Sequence, residues 1–546
     1  MSEPLPFNPT FVSEEFTPEE EDILRRYFTN ISGPVFALVN LPEVAKGALF
    51  ARYSRSHKSL RRLFLDEFVG DLDISGDITI DATVGLERAE QLYKKVFVEY
   101  GDDSVAQLGG VHLACEQVSN LLSKVIEWGR LMAYLEQSTR YLDYAERNAG
   151  RYRYYRPPEV MESPLATLYV SEMDKLFGSY AALLPQMIDF FRTEFPKAEG
   201  DSDFAYRQAV TAKAYDTLRG MLPAATQTNV GIYGNGQTFE YLMLRMRAHP
   251  LAEARSYGEV MLAELRKVIP SFLKRVDVED RGVAWTEYLA DTREGMESVA
   301  EHFFGEAPPP PLIEPEPIEV QLIDFDPEAE RKFLVAALFS YTHASEEEIG
   351  REVDAMGAED RLAVARAYAG LRRNRRHRPG RALELPSYRF EVLCDYGAFR
   401  DLQRHRMLTM EWQRLNCSHG YVMPEYLEAA GQAEAFHRAM ERSAEVSESI
   451  AHLYPDAASY AVAFAYRVRF NMQMNAREAM HLTELRSMAS GHASYRYAAQ
   501  EMHRQIAEKA GHVVIAEMMQ FVGKEHDRSL ERLASENQAE RRRNQQ

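Results

Sequence analysis

Cysteine is scarce in this chain. Cys115, Cys394 and Cys417 are too few and too scattered for a disulfide framework or a zinc site. Long apolar runs are missing as well: none approaches the ~20 residues a membrane-spanning helix needs. The stretch from Met1 to Phe16 is polar and acidic, without a signal-peptide core. Positive charge is also in deficit, with 64 Lys and Arg against 83 Asp and Glu, a net charge of −19. A general nucleic-acid binder needs a broad positive field, so the balance argues against that class. A small phosphate site is still open to the chain. A few clustered arginines act locally, because distant acidic charge is screened beyond about 10 Å. Together these absences imply a soluble, cytoplasmic protein.

What is present is length and apolar content. The 546 residues are 45% hydrophobic, enough for two large domains or three to four average ones. The clearest boundary is Pro308-Pro309-Pro310-Pro311, continued by Pro315 and Pro317. Consecutive prolines block both helix and central strand, so residues 306–318 read as a stiff, extended linker between a first domain, 1–305, and a second, 319–534. The polar tail 535–546 reads as frayed. Apolar residues recur at helical spacing over Gln117–Leu135, Leu165–Phe191, Leu362–Leu371, Ala433–Leu453 and Tyr497–Phe521. Tyr388–Leu393 alternates after Pro386 and predicts a strand.

The two halves repeat one another. Gly47–Ser54 is echoed by Val335–Thr342. An Arg-bearing segment, Trp128-Gly129-Arg130-Leu131-Met132, is echoed by Arg404-His405-Arg406-Met407-Leu408. A helix-like stretch, Asn235–Arg245, is echoed by Asn475–Arg486. In Arg404-His405-Arg406, two guanidiniums flank an imidazole. That is a compact arrangement for phosphate or diphosphate, since Arg gives planar bidentate donors and His a switchable one.

Arg404-His405-Arg406 is similar to the opening of the signature of the flavin-dependent thymidylate synthases, which continues with Ser, Asn, Ser and Arg at fixed spacing. In that register the second half carries Thr409, Glu411, Arg414 and Asn416 instead. The first half has lost most of the opening but ends in Ser138-Thr139-Arg140-Tyr141, as the family does. Leu218-Arg219-Gly220-Met221-Leu222-Pro223 resembles the family's Ala-Arg-x-x-Leu-Pro; its counterpart, Ala458-Ser459-Tyr460-Ala461-Val462, lacks the Arg. Glu384 fits the family's upstream Glu, whereas the first half has Gln107 after Gly101-Asp102-Asp103-Ser104. Asn475-Ala476-Arg477 through His481 to Leu485-Arg486 matches the family's last block. Its first-half counterpart runs from Asn235 to Arg245, with Arg247 as a second choice for the final Arg.

The resemblance implies a helix-rich α+β fold: two tandem copies of a flavin-dependent thymidylate synthase-like domain joined by the Pro-rich linker. It implies that the second copy keeps the flavin-side residues Glu384, Arg404, His405, Arg406, Asn475, Arg477 and His481, with Arg130 a lone remnant in the first. On the nucleotide side it implies Ser138 and Arg245 as catalytic residues, and Arg140, Arg219 and Arg486 as substrate-binding. The implied reaction is reductive methylation of a uracil nucleotide, dUMP to dTMP, in a site composed from both copies. FAD would be the cofactor, with NADPH and methylenetetrahydrofolate, a reduced folate, as co-substrates. A homodimer of such a fused pair would be a pseudo-tetramer. The alternative is a catalytically degenerate homologue that binds flavin or nucleotide, or serves structurally. Outside these motifs, Arg372–Arg378 reads as a solvated basic run. His112, His302, His437 and His503 read as isolated surface or core histidines, and Met472–Met480 as packing.

Overall fold

The computed structural model describes residues 11–40, 49, 53, 56–67, 69, 110–305, 309–523, 530 and 532–543. The first-copy block from Gly101 to Gln107 and most of Gly47–Ser54 lie outside the described residues. The fold is helix-rich α+β with two four-stranded antiparallel sheets. One sheet has β1 (Val35–Ala37), β2 (Gly110–Ser119), β3 (Ala133–Glu136) and β4 (Gln227–Asn235) in the order β1-β2-β4-β3. The other has β5 (Glu319–Phe325), β6 (Ser387–Asp395), β7 (Thr409–Trp412) and β8 (Arg467–Asn475) in the order β5-β6-β8-β7. The same topology thus occurs twice, once in each half of the sequence.

The repeat extends to the corners. Each central strand ends on a small polar residue that caps the next helix, satisfying an N–H group the helix leaves open. Ser119 ends β2 and its hydroxyl accepts from the backbone N–H of Leu122 at 2.9 Å, starting α1 (Asn120–Ile126). The first half continues with α2 (Ala166–Glu194), α3 (Asp203–Leu218), α4 (Gly236–Arg247) and α5 (Ala252–Leu265). Asn235 caps α4 through the N–H of Thr238 at 3.0 Å. In the second half Asp395 caps α6 (Tyr396–Leu402) through the N–H of Ala398 at 2.8 Å. Beyond α7 (Ala433–Ala451), Asn475 caps α8 (Ala476–Arg486) through the N–H of Glu478 at 2.9 Å. The strand expected over Tyr388–Leu393 is β6, whose nine residues pair with β8 in unbroken register, Ser387 opposite Asn475.

Two helical expectations change. Gln117–Leu135 is the end of β2, then α1, then β3, where Ala133–Glu136 pairs with β4. A short buried apolar run fits helix and strand periods alike, and pairing with β4 decides. Tyr497–Phe521 divides into α9 (Ala493–Glu508) and the short helix Val513–Glu517. Between them Gly511 adopts φ 72°, a left-handed conformation that ends a helix. The tail expected to fray forms α10 (Leu533–Arg543), where Asn537 donates to Asp201 at 3.0 Å.

The chain condenses into two compact units, each discontinuous in sequence. Unit 1 holds Met1–Ala181, Leu222–Pro310 and Arg442–Val462. Unit 2 holds Ala182–Met221, Pro311–Glu441 and Ala463–Gln546. A segment of each half therefore belongs with the other half's sheet. In unit 1 the N–H groups of Ala224 and Ala225 donate to the carbonyls of Val462 and Tyr460 at 2.8 and 2.9 Å. In unit 2 the N–H of Ala465 donates to the carbonyl of Gly220 at 2.9 Å. Gly220 leaves room for this approach, since a Cβ there would lie 3.1 Å from that of Ala465. The Pro-rich stretch is extended and docks within unit 2: Leu312 and Glu316 donate to the carbonyls of Cys417 and Tyr421 at 2.9 and 2.8 Å. Among the described residues, no helix is long and apolar enough to cross a membrane.

The second-copy segment in unit 1 is tied by a buried acid. Glu253, on α5, accepts from the Ser119 N–H and hydroxyl at 2.8 and 2.6 Å and from the Tyr460 hydroxyl at 2.8 Å. Burial dominates its titration and pushes its pKa from 4.5 up to about 7, despite the three donors. The folded protein therefore holds a proton that the unfolded chain releases between those two values. Stability is expected to fall as pH rises through that window, by roughly 3 kcal/mol, and to level off above it. Urea unfolding at several pH values checks this, and Glu253→Gln should flatten the slope.

Candidate functional site

Unit 2 gathers most of the residues expected to carry chemistry. Their placement starts with α6, which is fixed by aromatic packing. The Phe399 ring lies 5.1 Å from that of Phe470 on β8 and 5.5 Å from that of Trp412 on β7. Such pairs contribute about 0.5–1.5 kcal/mol each beyond area burial. The last turn of α6 and the loop after it then present Asp401, Arg404 and His405 toward α8.

Asp401 is the centre of this network and was not singled out from the sequence. Its carboxylate lies 3.4 Å from Arg219, 3.2 Å from Arg404 and 3.8 Å from Arg486. Arg219 comes from the first copy, on the short helical turn after α3; Arg404 and Arg486 come from the second. Arg486 also donates through Nε to His405 Nε2 at 3.0 Å. On its other side, His405 Nδ1 lies 2.7 Å from Glu478 Oε1. A guanidinium is only a donor, so His405 Nε2 must present a lone pair to Arg486. The ring is then neutral, carries its proton on Nδ1 and donates it to Glu478. Burial, with Arg486 and Arg378 nearby, holds the His405 pKa well below the usual imidazole value. Burial likewise raises that of Glu478.

The rest of the flavin-side set lies around α8. Arg477 pairs with Glu384 at 3.1 Å and donates to the carbonyl of Pro379 at 3.0 Å. Asn475 is the α8 cap already described, so helix geometry accounts for an Asn at that position. His481 is half-buried, and burial lowers its pKa to about 4. Arg378 lies against its ring at 3.2 Å. Arg404 is 36% exposed at its side chain, and Arg406 is half-buried. The run Arg372–Arg378 is not merely solvated. Arg372 is buried and makes two 2.6 Å hydrogen bonds to Glu484 on α8, which anchors the loop carrying Arg378 beside His481.

His405, Glu478 and His481 also have the composition of a metal site, with ligand atoms within 4.8 Å of one another. The hydrogen-bond pattern opposes it. Both ring nitrogens of His405 are engaged, and a divalent ion would face the guanidiniums of Arg378 and Arg486.

Beside this network lies a cavity of about 300 Å³, lined in part by Lys213, Arg219, Asp395, His492 and Arg496. Arg219 is 3% exposed, and its Nε and one terminal nitrogen are buried with no hydrogen-bond partner among the described residues. Oδ2 of Asp395 is in the same condition. The cavity thus offers a cationic donor edge and a carboxylate acceptor. Gly397 keeps it open: a Cβ there would lie 3.4 Å from both unpartnered Arg219 nitrogens.

Ser138, Arg140, Arg245 and Arg130 belong to unit 1. The Ser138 hydroxyl accepts from the Arg140 N–H at 3.2 Å. The Arg245 guanidinium stacks 3.9 Å over the ring of Trp128, the residue that stands where the second copy has Arg404. Arg247, the second choice for the final Arg, is engaged with Glu259 and Asp277 at 2.6 and 2.9 Å. Arg130 is exposed. A buried Lys124 pairs with Glu127 and Glu136, the latter at 3.0 Å.

The doubled sheet, each with its capped corners, and an arginine network drawn from both halves of the sequence define a duplicated α+β protein. Comparison with known proteins specifies it. The family described as "thymidylate synthase complementing protein" matches residues 51–271 and 321–511, so the chain belongs to that family. A UPF0159 protein from Chlamydia muridarum is 39% identical over 90% of this chain and 93% of its own length. One from Thermoplasma acidophilum is 31% identical over 90% of this chain and 98% of its own. A flavin-dependent thymidylate synthase from Clostridium tetani is 22% identical over 34% of this chain and 71% of its own length. Among solved structures, a UMP/dUMP methylase from Streptomyces cacaoi bound with 5-Br dUMP aligns with TM-score 0.30 and 18% identity, over 37% of this chain and 96% of that one.

Replacing Asp401 with Asn would leave Arg219 and Arg486 facing each other in a buried setting. Stripping one partner from a buried ion pair typically costs about 3–5 kcal/mol. Asp401→Asn is therefore expected to lower the urea unfolding midpoint well beyond a surface Asp→Asn control such as Asp291→Asn.

Proposed function

We propose that the chain is a flavin-dependent enzyme of the thymidylate synthase type that methylates a uracil nucleotide reductively, dUMP to dTMP, with a reduced folate as carbon donor and NADPH as reductant. Unit 2 carries the working site, composed of Arg219 from the first copy and the Arg-His-Arg and α8 residues of the second. The observation that carries this reading is Arg219: a buried guanidinium with two unpartnered nitrogens, lining a cavity and joined through Asp401 to Arg486. A cavity of this size falls at the low end of small-ligand sites.

In this reading a nucleotide phosphate meets the open edge of Arg219, with Lys213, Arg496 and the N-terminus of α9 adding positive potential. The unpartnered oxygen of Asp395 takes a hydroxyl donor. Arg486 stabilises negative charge that grows on the uracil as its C5 becomes nucleophilic. FAD fits the donor chemistry of unit 2, where Arg378 and Arg477 lie beside α8 and Arg404 and Arg406 follow α6, the residue types that bind a diphosphate. Arg404, His405, Arg406, Asn475, Arg477, His481 and Glu384 would hold it. The chemistry that a bound, reduced flavin would supply there is the hydride that completes the methyl group. Ser138, Arg140 and Arg245 lie in unit 1, where they would hold a second nucleotide. A homodimer, as a pseudo-tetramer, is the proposed assembly.

Arg219→Ala is expected to weaken dUMP binding by about 10- to 150-fold, the range for a charge-assisted hydrogen bond of 1.5–3 kcal/mol. The flavin absorption spectrum should be unchanged. Calorimetric titration of dUMP, with absorption of the FAD-reconstituted protein as control, checks both. Wild-type protein that binds dUMP and FAD yet forms no dTMP would instead support the non-catalytic alternative.

A further inference from the structure

Glu478 was not among the residues the family resemblance points to, and its surroundings give it a task. Its backbone N–H is held by the Asn475 cap at 2.9 Å, which fixes the first turn of α8. Its side chain turns inward and is 7% exposed. There Oε1 lies 2.7 Å from His405 Nδ1, while His405 Nε2 lies 3.0 Å from the Nε of Arg486. The three groups form a line: carboxylate, imidazole, guanidinium.

We infer that Glu478 is a positioning residue that fixes the Nδ1–H tautomer of His405, so that His405 Nε2 accepts from Arg486 and holds that guanidinium in place for the nucleotide. This rests on the proposed function. The argument is one of donors and acceptors. An imidazole has one proton to place when neutral, and the acceptor at Nδ1 decides where it goes. With Glu478 present, the proton sits on Nδ1 and the Nε2 lone pair is free for Arg486. Without it, the ring can carry the proton on Nε2, and an N–H would then face the N–H of Arg486. Two donors in contact repel, and Arg486 would swing away from His405. Asp401 lies 3.8 Å from the same guanidinium and the Tyr495 ring 5.5 Å from it, and His405 Nε2 is the acceptor that meets its Nε. The same logic that excludes a metal from the trio therefore assigns the carboxylate a role.

The inference separates four side chains at one position. Glu478→Gln keeps an acceptor oxygen for His405 Nδ1–H, whereas Glu478→Ala removes it. In Glu478→Ala, dUMP affinity should fall at least ten-fold, and kcat for dUMP methylation should fall with it. The cooperativity of unfolding should stay at the wild-type value. Glu478→Gln should restore dUMP affinity to within about three-fold of wild type, whereas Glu478→Met, which fills the same space without an oxygen acceptor, should not. Nitrogen-15 spectra of the histidine rings give a readout independent of activity, and the wild-type spectrum is independent of the variants' folding as well. Wild-type His405 should appear as the Nδ1-protonated neutral tautomer, and Glu478→Ala should lose it. A wild-type ring protonated on Nε2, or equal dUMP affinity in Glu478→Ala and wild type, overturns the inference. A wild-type protein that binds neither dUMP nor FAD overturns the functional reading instead, and the tautomer measurement still decides whether Glu478 sets His405.

Discussion

A single buried carboxylate, Asp401, faces three guanidiniums, and much of unit 2 is arranged around that fact. A charge removed from water must be neutralised by close partners. Here the partners come from three separate places: the turn after α3, the loop after α6, and the end of α8. Satisfying Asp401 therefore locks the exchanged segment Ala182–Met221, the Arg-His-Arg loop and the last helix of the motif to one another. The aromatic packing of Phe399 sets where α6 ends and hence where the carboxylate stands.

The exchange of segments changes what duplication means for this chain. In sequence, each copy is deficient: one lacks most of the Arg-His-Arg element, the other lacks the Arg of the Leu-Arg-Gly-Met-Leu-Pro block. In space, Arg219 sits in the unit built on the second copy's sheet, beside the elements that copy retained. The reverse exchange, Arg442–Val462, brings unit 1 one arginine, Arg442, which pairs with Glu172, and none at the turn that matches Arg219. There Tyr460 occupies the corresponding turn and its hydroxyl donates to Glu253. Unit 1 thus contains buried, well-bonded acids and a stacked Arg245, and unit 2 contains an open, partly unsatisfied cationic edge. The two copies have diverged toward different electrostatics on one topology.

Several features were legible beforehand for local reasons. The Asn that begins each final block is a helix cap in both copies, and the stretch from that Asn to its Arg is helical in both. The strand after Pro386 and the long helices Ala166–Glu194 and Ala433–Ala451 follow from alternation and from 3.6-residue spacing. Other features were hidden. Asp401 and Glu478 look like ordinary helical acids, and only the cations that reach them make them central. Arg372 reads as one member of a solvated basic run, yet it is buried against Glu484, 112 positions away.

The sequence by itself determined the family, the duplicated α+β topology and the clustered arginine and histidine motifs. All three are written in short blocks whose caps, periods and spacing act locally. Only the tertiary structure decided which copy's residues share a unit, which arginines are spent on carboxylates and which nitrogens of Arg219 remain open. Those outcomes depend on contacts between residues as far apart as Arg219 and Asp401, 182 positions, and on the cost of burying charge without a partner.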